Sequence, residues 1–175
     1  MGQPAVADDL AALINLARAI QADMTERGLT LTSAESCTGG LIGHVITELP
    51  GSSDYYLGGV VSYSDAIKQS DLGVDAHTLA THGAVSAQTC VAMADGARWR
   101  YGSSLAVAVT GVAGPDGGSA AKPVGLTYVG VADEAGHDVR RFTWPGQRHE
   151  NKVSSARAAL ELVAERLGIT SGQPA

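Results

Sequence analysis

Aromatic side chains are scarce in this sequence, with one Phe, two Trp and five Tyr among 175 residues. A core without bulky rings has to be assembled from Val, Leu, Ile and Ala in layers that approach closely, which suits a sheet covered by helices. Cysteine is almost missing as well. The two that occur, Cys37 and Cys90, are expected to stay reduced, because a non-secreted chain of this size has no need of a disulfide. Positive charge is in deficit: 12 Lys and Arg against 18 Asp and Glu give a net charge of −6. The basic residues are scattered among acids, so there is no electrostatic footprint for a nucleic-acid backbone. A small phosphate is still allowed, since it needs only a loop of amides and one or two cations. No stretch approaches the roughly 20 apolar residues of a membrane span, and the residues from Met1 to Asp9 lack the basic start and apolar run of a secretory signal. The expectation is a cytoplasmic protein with neither a membrane nor a nucleic-acid partner.

Several chemical signatures are also lacking. Neither a GK[ST] loop nor a G-x-G-x-x-G is present, so ATP hydrolysis and nicotinamide hydride transfer lose their main support. His44, His77, His82, His137 and His149 form no H-x-x-x-H or H-x-x-E-H grouping, so neither a metal nor another cofactor is expected.

What is present is a regular alternation of elements. Apolar residues recur at helical spacing from Asp9 to Arg27 and stop at Gly28. Leu29 to Ala34 reads as a short strand, Leu41 to Leu49 as a helix ending at Pro50-Gly51, and Leu57 to Tyr63 as a second strand. A helix begins near Asp65, capped by Ser64 or Asp65, and another spans Ser86 to Tyr101. Leu105 to Val109 is an unbroken apolar run, as expected of a strand buried on both faces. Gly125 to Ala132 and Val139 to Trp144 flank a turn cluster and read as a hairpin. A last helix covers about His149 to Leu167, with a frayed tail from Ser171 to Ala175. With no repeat, linker or composition break, the prediction is a single domain, residues 1–175 with a core at about 14–167: an α/β three-layer α/β/α sandwich with a mixed sheet.

Three places in this pattern bear chemistry. Ser36 stands where the first strand turns into a helix, followed by Thr38-Gly39-Gly40; the position suits a nucleophile with helix N-terminal amides as oxyanion donors, and equally a helix cap. Tyr63 and Lys68 follow the second strand. A desolvated lysine can act as general base and a tyrosine can relay its proton, while an exposed helical lysine beside a core tyrosine is the plain reading. The loop from Thr110 to Gly118, then Lys122-Pro123-Val124-Gly125, lets backbone amides approach a phosphate, or is only a surface turn.

Taken in series, Ala34-Glu35-Ser36-Cys37-Thr38-Gly39-Gly40, Pro50-Gly51-Ser52-Ser53, Gly58 to Ser64, Lys68, His82-Gly83-Ala84-Val85-Ser86, Thr110 to Pro115 and Lys122 to Gly125 resemble the CinA C-terminal family, from roughly Ile14 to Leu167. That family is known as nicotinamide-nucleotide amidohydrolase, so the resemblance implies deamidation of nicotinamide mononucleotide (NMN) to nicotinic acid mononucleotide. It makes Ser36 the nucleophile and Lys68 and Tyr63 its proton-handling partners. It places Cys37, Thr38 and Gly39 around the reacting amide and Thr110, Gly111 and Gly114 along the nucleotide pocket, with Lys122, Arg148 and Lys152 as cationic contacts. Two positions depart from the family pattern: Gln147 replaces an acid, and Lys152 replaces an arginine and supplies charge without a bidentate fork. Longer relatives carry a further N-terminal domain with metal-dependent pyrophosphatase activity; with 13 residues before Ile14, the expectation is the amidohydrolase half alone. Cys37 is the chemical rival of Ser36 as nucleophile. A non-catalytic nucleotide-binding accessory protein is the rival class, and a homodimer is the expected oligomer because two-fold dimers are commonest.

Overall fold

The computed structural model describes residues 4–169, and the tail expected from Ser171 to Ala175 lies outside them. Helix α1 (Pro4–Arg27) stops at Gly28, whose φ of 64° is a left-handed conformation that glycine adopts without strain. Then follow β1 (Leu31–Glu35), α2 (Leu41–Thr47), β2 (Tyr56–Val61), α3 (Asp65–Leu72), α4 (Ala76–His82), α5 (Ala87–Tyr101), β3 (Leu105–Gly111), β4 (Leu126–Asp133), β5 (Gly136–Thr143) and α6 (Arg148–Leu167). Ser64 caps α3 by accepting from the Ile67 amide at 3.3 Å. Helix α4 was not legible as periodicity because Leu79 is its one buried side chain; Asp75 starts it by accepting from the His77 amide.

The five strands lie in the order β2-β1-β3-β4-β5. β1 pairs in parallel with β2 and with β3, while β3-β4-β5 is antiparallel, so the sheet is mixed as predicted. Along β3 the side chains divide by parity. Leu105, Val107 and Val109 enter the core shared with α1, α2 and α6, and Ala106 and Ala108 enter the one shared with α3, α4 and α5. Branched side chains fill the first core, where each fully buried one contributes about 1.5–3 kcal/mol. On the second face the small residues let α5 settle close to the sheet, and Cys90 and Met93 fill the remaining space.

Close approach continues outward from α5. A Cβ at Gly96 would collide with the Leu72 carbonyl, so the glycine is what allows the end of α3 to rest on α5. From β1 the chain goes to β2 on one side and returns to β3 on the other. In open sheets such a reversal leaves a crevice outside the carboxyl ends of the strands, where ligands bind.

Candidate active site

Three strand ends meet at that crevice. Ser36 follows β1, the Ser62-Tyr63 segment follows β2, and Thr110 and Gly111 close β3. Backbone bonds fix their relation: the Ser36 amide donates to the Val109 carbonyl at 2.9 Å, and the Ser62 amide to the Glu35 carbonyl at 2.8 Å. Ser36, Cys37, Tyr63, Lys68, Thr110, Gly111, Gly114, Asp116 and Arg148 are among the residues lining a cleft of about 270 Å³. A larger groove of about 760 Å³ lies around Trp99 between α3 and α5. Its single hydroxyl, Ser70, is engaged by Asp71 at 3.1 Å, so size and chemistry point to different places and the chemistry favours the smaller cleft.

The centre of the cleft is a serine–lysine pair. Lys68 is 1% exposed, and its Nζ lies 3.3 Å from Ser36 Oγ while donating to the Ser62 carbonyl at 2.7 Å. Burial pushes the Lys68 pKa below its ordinary 10.5, against opposing pulls from Asp65 and Cys37. A neutral amine that donates to Ser62 keeps its lone pair for the serine proton. The plain reading of Lys68 as an exposed helical residue is thereby excluded. So is Ser36 as a helix cap, because α2 has Gly40 at its N-cap with no side-chain cap bond.

Of the two expected sources of oxyanion donors, the backbone N–H groups near Cys37 to Gly39 and the helix N-terminal amides, the second needs correction. The first-turn amides of α2 do not face Ser36, because the Glu35 carboxylate takes them: Gly40 at 3.0 Å, Ile42 at 3.1 Å and Gly43 at 2.9 Å. Gly39 N–H donates to the Ser36 carbonyl and Leu41 N–H to that of Thr38. Between residues 36 and 43, the amides left without a carbonyl or carboxylate acceptor among the described residues are those of Cys37 and Thr38. Sequence reasoning missed Glu35. The signal was an acidic residue at the end of an otherwise apolar and hydroxylic strand, where a buried carboxylate needs several donors.

The other expected residues divide. Cys37 lines the cleft but is buried, and burial raises its thiol to about 11 with help from Glu35, which leaves it protonated and weak as a nucleophile at neutral pH. Tyr63 stands at the lip, 61% exposed. Its hydroxyl accepts from Arg148 at 3.2 Å and makes no hydrogen bond to Ser36 or Lys68 among the described residues, so the proton relay expected of it is not what the structure assembles. Arg148 also donates to the Gly114 carbonyl at 2.7 Å, which ties helix α6 to the glycine loop. Thr110 is fully buried and donates to the Ala84 carbonyl at 2.7 Å, so its hydroxyl holds the His82–Ser86 turn. Lys122 donates to the His82 carbonyl at 2.6 Å, away from the cleft lining. Lys152 places its Nζ 3.5 Å from where a Cβ of Gly39 would stand, and it is not among the residues lining the cleft. Thr38 is buried, its hydroxyl without a partner among the described residues. Among those residues no group of three or more His, Cys, Asp or Glu is placed to hold a metal, and no helix is long and apolar enough to cross a membrane.

Comparison with known proteins gives the family and the fold. The family model described as the CinA C-terminal domain matches residues 13–167. A CinA-like protein of Geobacter sulfurreducens is 51% identical over 142 residues, covering 81% of this chain and 34% of that protein; the chain thus spans about a third of the curated relatives it matches. Among solved structures, the competence/damage inducible protein CihA of Agrobacterium tumefaciens superimposes with a TM-score of 0.84 at 44% identity, covering 89% of this chain and 95% of that one. The competence damage-inducible protein A of Klebsiella pneumoniae superimposes with a TM-score of 0.86 at 31% identity, covering 91% and 99%.

Proposed function

Since this chain belongs to the CinA C-terminal domain family, we propose that it is a serine amidohydrolase that deamidates NMN to nicotinic acid mononucleotide and ammonia. The observation that carries the reading is the buried Lys68 amine 3.3 Å from Ser36 Oγ at the floor of an open cleft. A base held slightly beyond the usual 2.6–3.2 Å is common before substrate tightens the site. The cleft, at about 270 Å³, is ample for an aromatic carboxamide. The nicotinamide end enters towards Ser36, and Arg148, which lines the cleft, is the cation that meets the phosphate in this reading.

In this mechanism neutral Lys68 takes the Ser36 proton as Oγ attacks the carboxamide carbon. The carbonyl oxygen, now an oxyanion, is received by the Cys37 and Thr38 amides. Lys68 returns the proton to the departing nitrogen, ammonia leaves, and an ester to Ser36 remains. Water then attacks that ester with Lys68 again as base, which releases the carboxylate and restores the serine. Arg148 orients the phosphate and Tyr63 braces Arg148. The reading includes a cytoplasmic location and a homodimer.

Ammonia release from NMN tests it directly. The wild-type protein is expected to turn NMN over, and Ser36→Ala and Lys68→Met to lose that turnover entirely. Undiminished turnover by Ser36→Ala sinks the mechanism, and an inactive wild type sinks the substrate assignment.

A further inference from the structure

Glu35 is 2% exposed and lies at the last position of β1, directly before Ser36. Its carboxylate reaches over the turn to α2 and accepts three amides: Oε2 from Gly40 and Ile42, Oε1 from Gly43. An ordinary helix cap sits next to the helix it serves. Here the capping group comes from the strand, so it ties the end of β1 to the start of α2 and leaves residues 36–39 looped out between two fixed points. The strand side of that loop is anchored by the Ser36 amide on Val109 and the Ser62 amide on the Glu35 carbonyl. The loop itself needs left-handed backbone at Gly39 and Gly40, with φ of 64° and 95°. From the helix side the only other tie among the described residues is the Leu41 amide on the Thr38 carbonyl at 3.4 Å, since α2 has no side-chain cap at Gly40. The same three bonds consume the helix amides that would otherwise compete for the oxyanion, and leave those of Cys37 and Thr38.

We propose that Glu35 is a positioning residue for the reaction: its carboxylate holds the Ser36–Gly40 turn in the shape that presents the nucleophile and the Cys37 and Thr38 amides to the same reacting carbon. This rests on the amidohydrolase reading given above. Glu35 touches no substrate, so its effect belongs to the step in which charge develops, not to binding.

The experiment compares wild type with Glu35→Gln and Glu35→Asp in two assays. One is steady-state NMN deamidation across pH. The other is the rate at which Ser36 Oγ displaces fluoride from a fluorophosphonate probe, located by mass spectrometry. The second depends on the same nucleophile, base and oxyanion donors but not on NMN recognition. In Glu35→Gln the amide NH2 replaces one acceptor, so kcat and the phosphonylation rate should fall together by on the order of 10², as when one oxyanion donor is lost. KM should stay within about threefold, and the pH midpoint set by Lys68 should not move. Glu35→Asp keeps the charge but ends a methylene short of Gly43, and it should show the same paired loss if Glu35→Gln does not fold. Rates within about threefold of wild type in the folded variant overturn the proposal, as does a loss confined to KM or one accompanied by a shifted pH midpoint. A wild type that is phosphonylated at Ser36 yet leaves NMN intact removes the substrate assignment, while the Glu35 role is still decided by the phosphonylation rates.

Discussion

Lys68 Nζ and Ser36 Oγ stand 3.3 Å apart although 32 positions separate the two residues in the chain. The contact forms because two parallel strand ends, β1 and β2, lie side by side, and because α3 leans on α5 closely enough to bury the amine.

A buried amine whose pKa is depressed costs stability wherever the unfolded chain carries the proton that burial disfavours. Between its lowered value and the ordinary 10.5, the unfolded state binds more protons than the folded one, so stability rises with pH across that window. Lys68→Met should therefore be more stable than wild type at neutral pH, and the gap should close as pH approaches 10.5. Thermal melts at a series of pH values check this. Wild-type kcat/KM should climb with pH up to that lowered value and level off above it, because only the neutral amine can accept the serine proton.

Cys37 gives a sharper test of which neighbour is the nucleophile. With its thiol raised to about 11 by burial, alkylation by iodoacetamide at neutral pH should be slow. Cys37→Ala should retain deamidation within a few-fold of wild type. Loss of turnover on the scale of Ser36→Ala would make the cysteine the reacting group.

Tyr63→Phe separates a relay from a brace. The hydroxyl's partner is Arg148 at 3.2 Å, and one such bond is worth about 0.5–1.5 kcal/mol net. The expected result is a KM raised several-fold with kcat nearly unchanged. A large drop in kcat instead would return Tyr63 to the proton pathway.

Gly96 links packing to chemistry at a distance from the cleft. Gly96→Ala drives a methyl group into the Leu72 carbonyl, and overpacking of this kind costs about 1–3 kcal/mol. The better helix propensity of alanine, about 1 kcal/mol, does not offset a backbone collision. Since α3 carries Lys68, kcat should fall along with the melting temperature. Misplacement by about 1 Å can cost on the order of 10² in rate. Normal kcat in a destabilised Gly96→Ala would show that α3 does not transmit the shift.

Much of this molecule was legible from local pattern. The helix ending at Gly28, the apolar strand Leu105–Val109 and the long last helix follow from periodicity, because each side chain's environment there repeats with the backbone. The placement of Ser36 at a strand end was visible for the same reason. Helix α4 was not, since a helix with one buried residue has no periodic signal to read. The choice between competing roles was also beyond local sequence. Whether Lys68 is buried, whether Tyr63 meets Ser36 or Arg148, and where Lys122 and Lys152 point depend on which elements become neighbours.

By itself, then, the sequence determined the elements other than α4, their order, the mixed α/β architecture and the family, because these rest on short-range periodicity and motif spacing. Only the tertiary structure decided the site. It put an amine from β2's exit against a hydroxyl from β1's, assigned the α2 amides to Glu35, and left those of Cys37 and Thr38 available. The physical reason is that desolvation and hydrogen-bond assignment are properties of packed surroundings: a buried donor or charge must find its partner in space, and strand order and helix contact alone decide which partner that is.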